Sequence, residues 1–246
     1  MASPAIVFEN VSLDFDGRVL FRDLSFTIDR GSCTCLLGPS GCGKSTILKL
    51  VSGDPALIYT GTIRCEGEET ASGRTAWMAQ QDLLLPWLDV LANVLLGAKL
   101  RGEINKELED KGRDLLAHAG LGKVVHAWPA TLSGGMRQRV ALLRTLMENR
   151  SILLMDEPFS ALDALTRIRL QNLSARLTKG ATVLLVTHDP LEALRMANRI
   201  LVLEGSPVRI AADISLAGMP PRDADDPEIA VNYPELLDLL MGGKAA

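Results

Sequence analysis

The stretch that most constrains this chain is Gly38-Pro39-Ser40-Gly41-Cys42-Gly43-Lys44-Ser45-Thr46. It has the spacing G-x-x-x-x-G-K-[ST], follows a short apolar run ending at Leu37, and precedes an apolar pattern over Thr46 to Val51 that suits a helix. A buried strand, a glycine-rich turn and a helix in that order point to an α/β architecture. The glycines let the backbone wrap closely around phosphate groups, and bare N–H groups at a helix N-terminus supply partial positive charge. On this pattern Lys44 reaches the β and γ phosphates of a nucleoside triphosphate, and the Ser45 hydroxyl ligates Mg2+.

The rest of the chain fits that architecture. Apolar runs at Ile152–Met155, Val183–Val186 and Ile200–Leu203 read as strands, and a polar cluster and then a helix follow each of the first two. Asp189-Pro190-Leu191-Glu192 is a helix start, with Asp at the N-cap, Pro at N1 and Glu at N3. Strands alternating with helices predict a mostly parallel core sheet. The opening differs, because Ile6–Phe15 and Val19–Ile28 flank Asp16-Gly17, a hairpin signal that predicts an N-terminal antiparallel β portion. Thr62–Glu66 and Thr75–Ala79 read as two further short strands.

From Leu88 to Arg150 apolar residues recur at helical spacing, as in Leu91, Val94 and Leu95, or Met136, Val140, Leu143 and Met147. That block, about 88–150, is expected to be a helical insertion. A proline-rich connection from Pro220 to Pro227 leads to an amphipathic helix over Glu228–Leu240.

Composition removes several classes. With 246 residues the chain can bury a real core. Its 26 Lys and Arg against 30 Asp and Glu give a net charge of −4, which argues against a dedicated nucleic-acid binder. No stretch reaches the roughly 18 apolar residues of a membrane span, and the richest, Val90–Leu100, is broken by Asn93, Gly97 and Lys99. The N-terminus carries no basic region before an apolar one, so no secretory signal is expected. Cys33, Cys35, Cys42 and Cys65 lack C-x2-C spacing and read as buried thiols of a reducing compartment.

Ile152 to Met155 ends in Asp156-Glu157. A central strand would deliver both carboxylates at its carboxyl edge, where α/β sheets bind ligands. Asp156 then suits the Mg2+ shell, and Glu157 is placed to take a proton from an attacking water. Ser133-Gly134-Gly135 makes a second bare helix N-terminus. One phosphate group does not need both anion sites from one subunit. A dimer in which Ser133 of one copy faces Lys44 of the other resolves this.

Taken together, Gly38–Thr46, Leu132–Gln138, Leu154–Pro158, Ser160-Ala161-Leu162-Asp163 and His188 resemble the motif set of ABC transporter ATPase subunits. In order they resemble the Walker A loop, the signature motif, Walker B, the D-loop and the switch histidine; the likeness runs from residue 5 to about 210. It implies a P-loop NTPase fold, ATP and Mg2+ as ligands, and residues 1–215 as the ATPase domain with 216–246 as a tail. By the same resemblance Gln80 is the Q-loop glutamine that contacts Mg2+ and the attacking water, with Gln81 the alternative register. His188 would bond the γ-phosphate, and Asp163 would join the nucleotide site through the D-loop. Phe15 stands where the family has an adenine-stacking tyrosine; the other reading is a hairpin core residue. His118 and His126 are treated as structural or exposed.

Leu84-Leu85-Pro86-Trp87, with Val90 and Asn93, looks like the subgroup serving nitrate, sulfonate, taurine and thiamine-precursor importers, and Pro207–Ile210 adds weak support. Asp82 departs from that subgroup, which often has proline there. Trp77 and Trp128 are expected to be packing residues, whereas Trp87 follows the Q-loop and suits a docking face. The implied partners are a second copy of the chain, integral membrane permease subunits and, indirectly, a solute-binding protein. The implied location is the cytoplasmic face of a bacterial inner membrane, as a peripheral subunit. The competing readings are a soluble ABC ATPase of a non-transport class, such as an iron–sulfur assembly subunit, and a P-loop kinase or GTPase. The last leaves Ser133-Gly134-Gly135 unexplained.

Overall fold

The computed structural model describes residues 4–15, 17–68 and 74–242, with Phe15 described in its backbone alone. The Asp16 turn and the Phe15 stacking role therefore lie outside the described residues. In chain order the strands and helices begin with β1 (Ile6–Phe15), β2 (Arg18–Ile28), β3 (Cys33–Leu37), α1 (Lys44–Ser52), β4 (Tyr59–Cys65) and β5 (Thr75–Met78). There follow α2 (Val90–Val94), α3 (Leu96–Leu100), α4 (Lys106–His118), α5 (Gly134–Met147), β6 (Ile152–Asp156) and α6 (Ala164–Leu177). The chain ends with β7 (Thr182–Thr187), α7 (Pro190–Met196), β8 (Arg199–Glu204), β9 (Arg209–Ser215) and α8 (Pro227–Leu240).

Contacts divide the chain into two units, the first comprising Met1–Thr75, Ser151–Asp156 and Lys179–Ala246. Within it, five strands lie in the order β6-β7-β3-β8-β9. The pairs β6/β7, β7/β3 and β3/β8 are parallel, and β9 closes the edge antiparallel to β8. Every residue of β6 and β7 is buried, as expected of parallel strands covered on both faces. Leu36, Ile47, Leu48, Leu154, Leu184 and Leu201 are fully buried around them. Each such side chain contributes about 1.5–3 kcal/mol by leaving water.

The antiparallel portion is a separate sheet of the same unit, in the order β2-β1-β4. Phe8 and Phe26 stack across β1 and β2 with ring centroids 4.4 Å apart. The β4 strand starts three residues before the expected Thr62 and includes Gly61. Gly61 has φ 91°, and a Cβ there would lie 2.3 Å from the Asn10 carbonyl oxygen, so a bulge absorbs it.

Asp189 caps α7 as expected, accepting from the amides of Leu191 at 2.9 Å and Glu192 at 3.3 Å. Arg222 lies in the connection that reads as a polar surface segment, yet it is 2% exposed. Its guanidinium donates to the carbonyls of Ala217, Leu194 and Ala197, satisfying orphan acceptors at the end of α7.

The second unit comprises Ala76–Arg150 and Glu157–Thr178, so it includes α6 as well as the helical block. Asn93 on α2 is fully buried. Its carboxamide accepts from the Leu85 amide at 2.8 Å and donates to the carbonyls of Leu85, Leu88 and Asp89. It thereby fixes the Leu84–Trp87 tract against α2. His126 pairs with Asp89 at 2.9 Å, and the exposed His118 caps back on Asp114. Trp77 and Trp128, expected to be packing residues, are 37% and 52% exposed. Among the described residues no helix is long and apolar enough to cross a membrane.

Candidate functional site

The glycine-rich loop joins β3 to α1. Gly43 is the N-cap of α1 at φ 92°, a left-handed conformation that favours glycine, and a Cβ there would press on the Phe21 ring at 3.1 Å. At Gly38 a Cβ would stand 2.6 Å from the Leu203 carbonyl oxygen. No side chain caps α1 and its first turn holds no acid, so its leading N–H groups suit an anion. Lys44 is 5% exposed, and its ammonium donates to the carbonyls of Gly38 at 2.7 Å and Pro39 at 2.8 Å. A buried ammonium held over a bare helix start fits a phosphate. The Ser45 and Thr46 side chains are half-buried on the first turn.

Register places the other predicted residues of this unit at the same sheet edge. Leu37 pairs with Thr187, and Asp156 with Val186. The carboxyl ends of β3, β7 and β6 therefore deliver Gly38, His188 and Asp156 side by side. His188 is exposed, while Asp156 is 4% exposed.

In the second unit, Glu157 adopts φ 49°, unusual for a residue with a side chain. Its carboxylate accepts from Gln80 Nε2 at 3.4 Å, so the structure brings together these two residues and selects Gln80 over Gln81 as the neighbour of Glu157. Gln138, the last residue of the stretch resembling the signature motif, is buried on α5. It donates to the Glu157 carbonyl at 2.9 Å and to Ser160 Oγ at 3.2 Å, and accepts from the Ala161 amide at 2.8 Å. Its partners lie on a different segment, so no local signal could have found these bonds. A cavity of about 430 Å³ is lined by Gln80, Asp82, Gly134, Gln138 and Ser160.

Ser133 is the N-cap of α5, its Oγ accepting from the Met136 amide at 3.3 Å, and the first turn of α5 again carries no acid. Gly134 is open to solvent, whereas a Cβ on Gly135 would lie 3.0 Å from the Ala161 carbonyl oxygen. Asp163 caps α6, and the hydrogen bond from the Thr166 backbone holds its carboxyl below the usual carboxylate range.

The sequence profile of a family described as ABC transporter matches residues 21–160, from β2 through the glycine-rich loop to Ser160. The chain belongs to the ABC transporter family. An uncharacterized ABC transporter ATP-binding protein of Haemophilus influenzae is 40% identical over 238 residues, covering 95% of this chain and 98% of that protein. An aliphatic sulfonates import ATP-binding protein of Streptomyces avermitilis is 41% identical, covering 98% of this chain and 92% of its own length. Among solved structures, an ATP-binding subunit of an ABC transporter matches with TM-score 0.78 at 25% identity, over 96% of this chain and 99% of that one. A dimeric ATP-binding cassette in a post-hydrolysis state, bound to ADP and Pi, matches with TM-score 0.76 at 27% identity, over 87% of this chain and all of that one. The ABC chain described here is accordingly an ATPase with the P-loop α/β fold, whose hydrolysis serves transport.

Proposed function

We propose that the chain powers a bacterial importer of a small solute, of the sulfonate, nitrate, taurine or thiamine-precursor type, by closing on ATP as a homodimer and reopening after hydrolysis. The names of the sulfonate-import relatives support the importer over a non-transport assembly ATPase. The observation that carries the nucleotide site is the uncapped, acid-free start of α1 beneath the Lys44 ammonium.

In this reading Gly38 to Thr46 cradle the phosphates, with Lys44 on the β and γ oxygens and His188 on the γ-phosphate. Ser45, Gln80 and Asp156 hold Mg2+, which when bound offsets the charge of the β and γ oxygens. Glu157 takes a proton from the attacking water as its oxygen bonds to the γ-phosphorus, and ADP leaves as the P–O bond breaks. Ser133, Gly134, Gly135 and Asp163 come from the other copy and complete the site. Dimer closure moves the Q-loop face, where Trp87 is 68% exposed, against integral membrane permease subunits. A solute-binding protein feeds those subunits from outside, and the chain works as a peripheral subunit on the cytoplasmic face of the inner membrane.

The test is affinity purification of the chain from its native membrane. Recovery of a permease, whose binding protein takes up a small sulfonated or related solute, supports the reading. A chain that hydrolyses ATP but brings down only soluble proteins overturns the importer part. Lys44→Ala, run in parallel, should abolish ATP binding.

A further inference from the structure

The structure gives Asp82 a partner on the signature helix. Its carboxylate Oδ2 accepts from Arg137 Nε at 3.0 Å, while Oδ1 accepts from the Leu84 amide at 3.2 Å. The same Arg137 donates through Nη1 to the Leu132 carbonyl at 2.8 Å, immediately before Ser133. Further along α5, Arg144 donates to the carbonyls of Leu83 and Asp82, each at 2.8 Å. Leu83 sits at φ 44°, a conformation that needs such support in a residue with a side chain. Two arginines of one helix therefore clamp the segment that follows Gln80, and one of them also grips the residue next to Ser133.

The ion pair is about one-third exposed on both sides, 37% at Arg137 and 31% at Asp82. Pairs of that exposure add little to stability. What this one adds is geometry. A guanidinium is a rigid planar fork, so fixing one edge on Asp82 fixes the direction of the other edge toward Leu132.

We propose that Asp82 is a positioning residue for the signature loop, acting through Arg137 as a strut that ties the Q-loop segment to Leu132 and Ser133. The proposal rests on the reading that Ser133 serves the partner copy's nucleotide. Displacement of the Q-loop segment is then passed to the nucleotide-facing end of α5 without repacking the helix.

The experiment compares the full-length chain with Asp82→Asn, Arg137→Gln, the double variant and Ser133→Arg, reading kcat, KM for ATP and melting temperature. Each single strut variant should lower kcat about five- to tenfold while KM stays within about twofold, because the Lys44 loop is untouched. The double variant should be no more than about twofold worse than the weaker single, since both break one connection. Melting temperatures should stay within about 2 °C, which separates positioning from a merely structural role. If Ser133→Arg abolishes turnover but both strut variants keep kcat within about twofold, or their losses multiply, the strut is overturned and the Ser133 reading stands. If Ser133→Arg itself keeps full turnover, that reading fails and the strut proposal falls with it.

Discussion

The carboxamide of Gln138 holds the backbone carbonyl of Glu157 at 2.9 Å, from a position 19 residues earlier in the chain. The same side chain reaches Ser160 Oγ and the Ala161 amide, so one buried glutamine spans the turn after β6 and the segment leading to Asp163. Glu157 at φ 49° is a strained residue, and strain persists where the surroundings over-determine it. Gln138→Leu keeps the approximate size but leaves the Glu157 carbonyl and the Ala161 amide without this partner. A lost buried bond of this kind costs about 1–3 kcal/mol, so kcat should fall about tenfold or more with KM for ATP nearly unchanged. Steady-state phosphate release checks this; an unchanged kcat would separate Gln138 from the chemistry.

Trp87 is 68% exposed, so Trp87→Ala should change unfolding free energy by no more than about 0.5 kcal/mol. Basal ATP hydrolysis by the isolated chain should persist, while co-purification with the permease weakens. A drop of several degrees in melting temperature would instead make Trp87 a packing residue.

Arg222 places a guanidinium among backbone carbonyls with almost no solvent, and burial pulls its pKa below the usual arginine value. Arg222→Ala strands the carbonyls of Ala217, Leu194 and Ala197 and leaves a cavity. Denaturant unfolding should show a loss of about 2–4 kcal/mol. An effect below about 0.5 kcal/mol would mean that the segment from 217 to 222 contributes little to the anchoring of α7.

Burial, reinforced by the neighbouring Glu66 carboxylate, pushes the Cys65 thiol up to about 11 from its ordinary 9.0. The folded chain thus keeps a proton that the unfolded chain releases. The associated stability is fully present below about pH 9 and is lost as pH rises from 9 toward 11. At pH 10 the folded state should be weaker by about 1 kcal/mol from this group alone. Urea unfolding at pH 8 and pH 10 should show a loss in the wild-type chain that Cys65→Ala reduces by about this amount, the rest coming from the buried Cys33 and Cys35 thiols, which are also pushed up.

The parts legible in the sequence were local ones. Gly38 to Thr46, the Asp189-Pro190 cap and the Ser133 cap each write their geometry within a few residues. The strand run ending in Asp156 was equally plain, since parallel strands buried on both faces are continuously apolar. The burial and partners of Gln138 and Arg222 were not legible, because a polar side chain on a helix or in a proline-rich connection shows its distant acceptors only once the fold brings them near. Trp77 and Trp128 differ the other way, expected as packing residues yet 37% and 52% exposed. The role of Asp82 was hidden for the same reason as that of Gln138: Arg137 lies 55 residues away.

In the proposed function, Glu157 drives hydrolysis within a nucleotide site completed by a second copy of the chain. Glu157→Gln removes the charge while keeping the size, and the variant is measured by size-exclusion chromatography with ATP and Mg2+ alongside phosphate release. The expected result is a dimer that retains nucleotide and a turnover on the order of a hundredfold or more below wild type. A variant that stays monomeric with ATP and turns over within about threefold of wild type would contradict it.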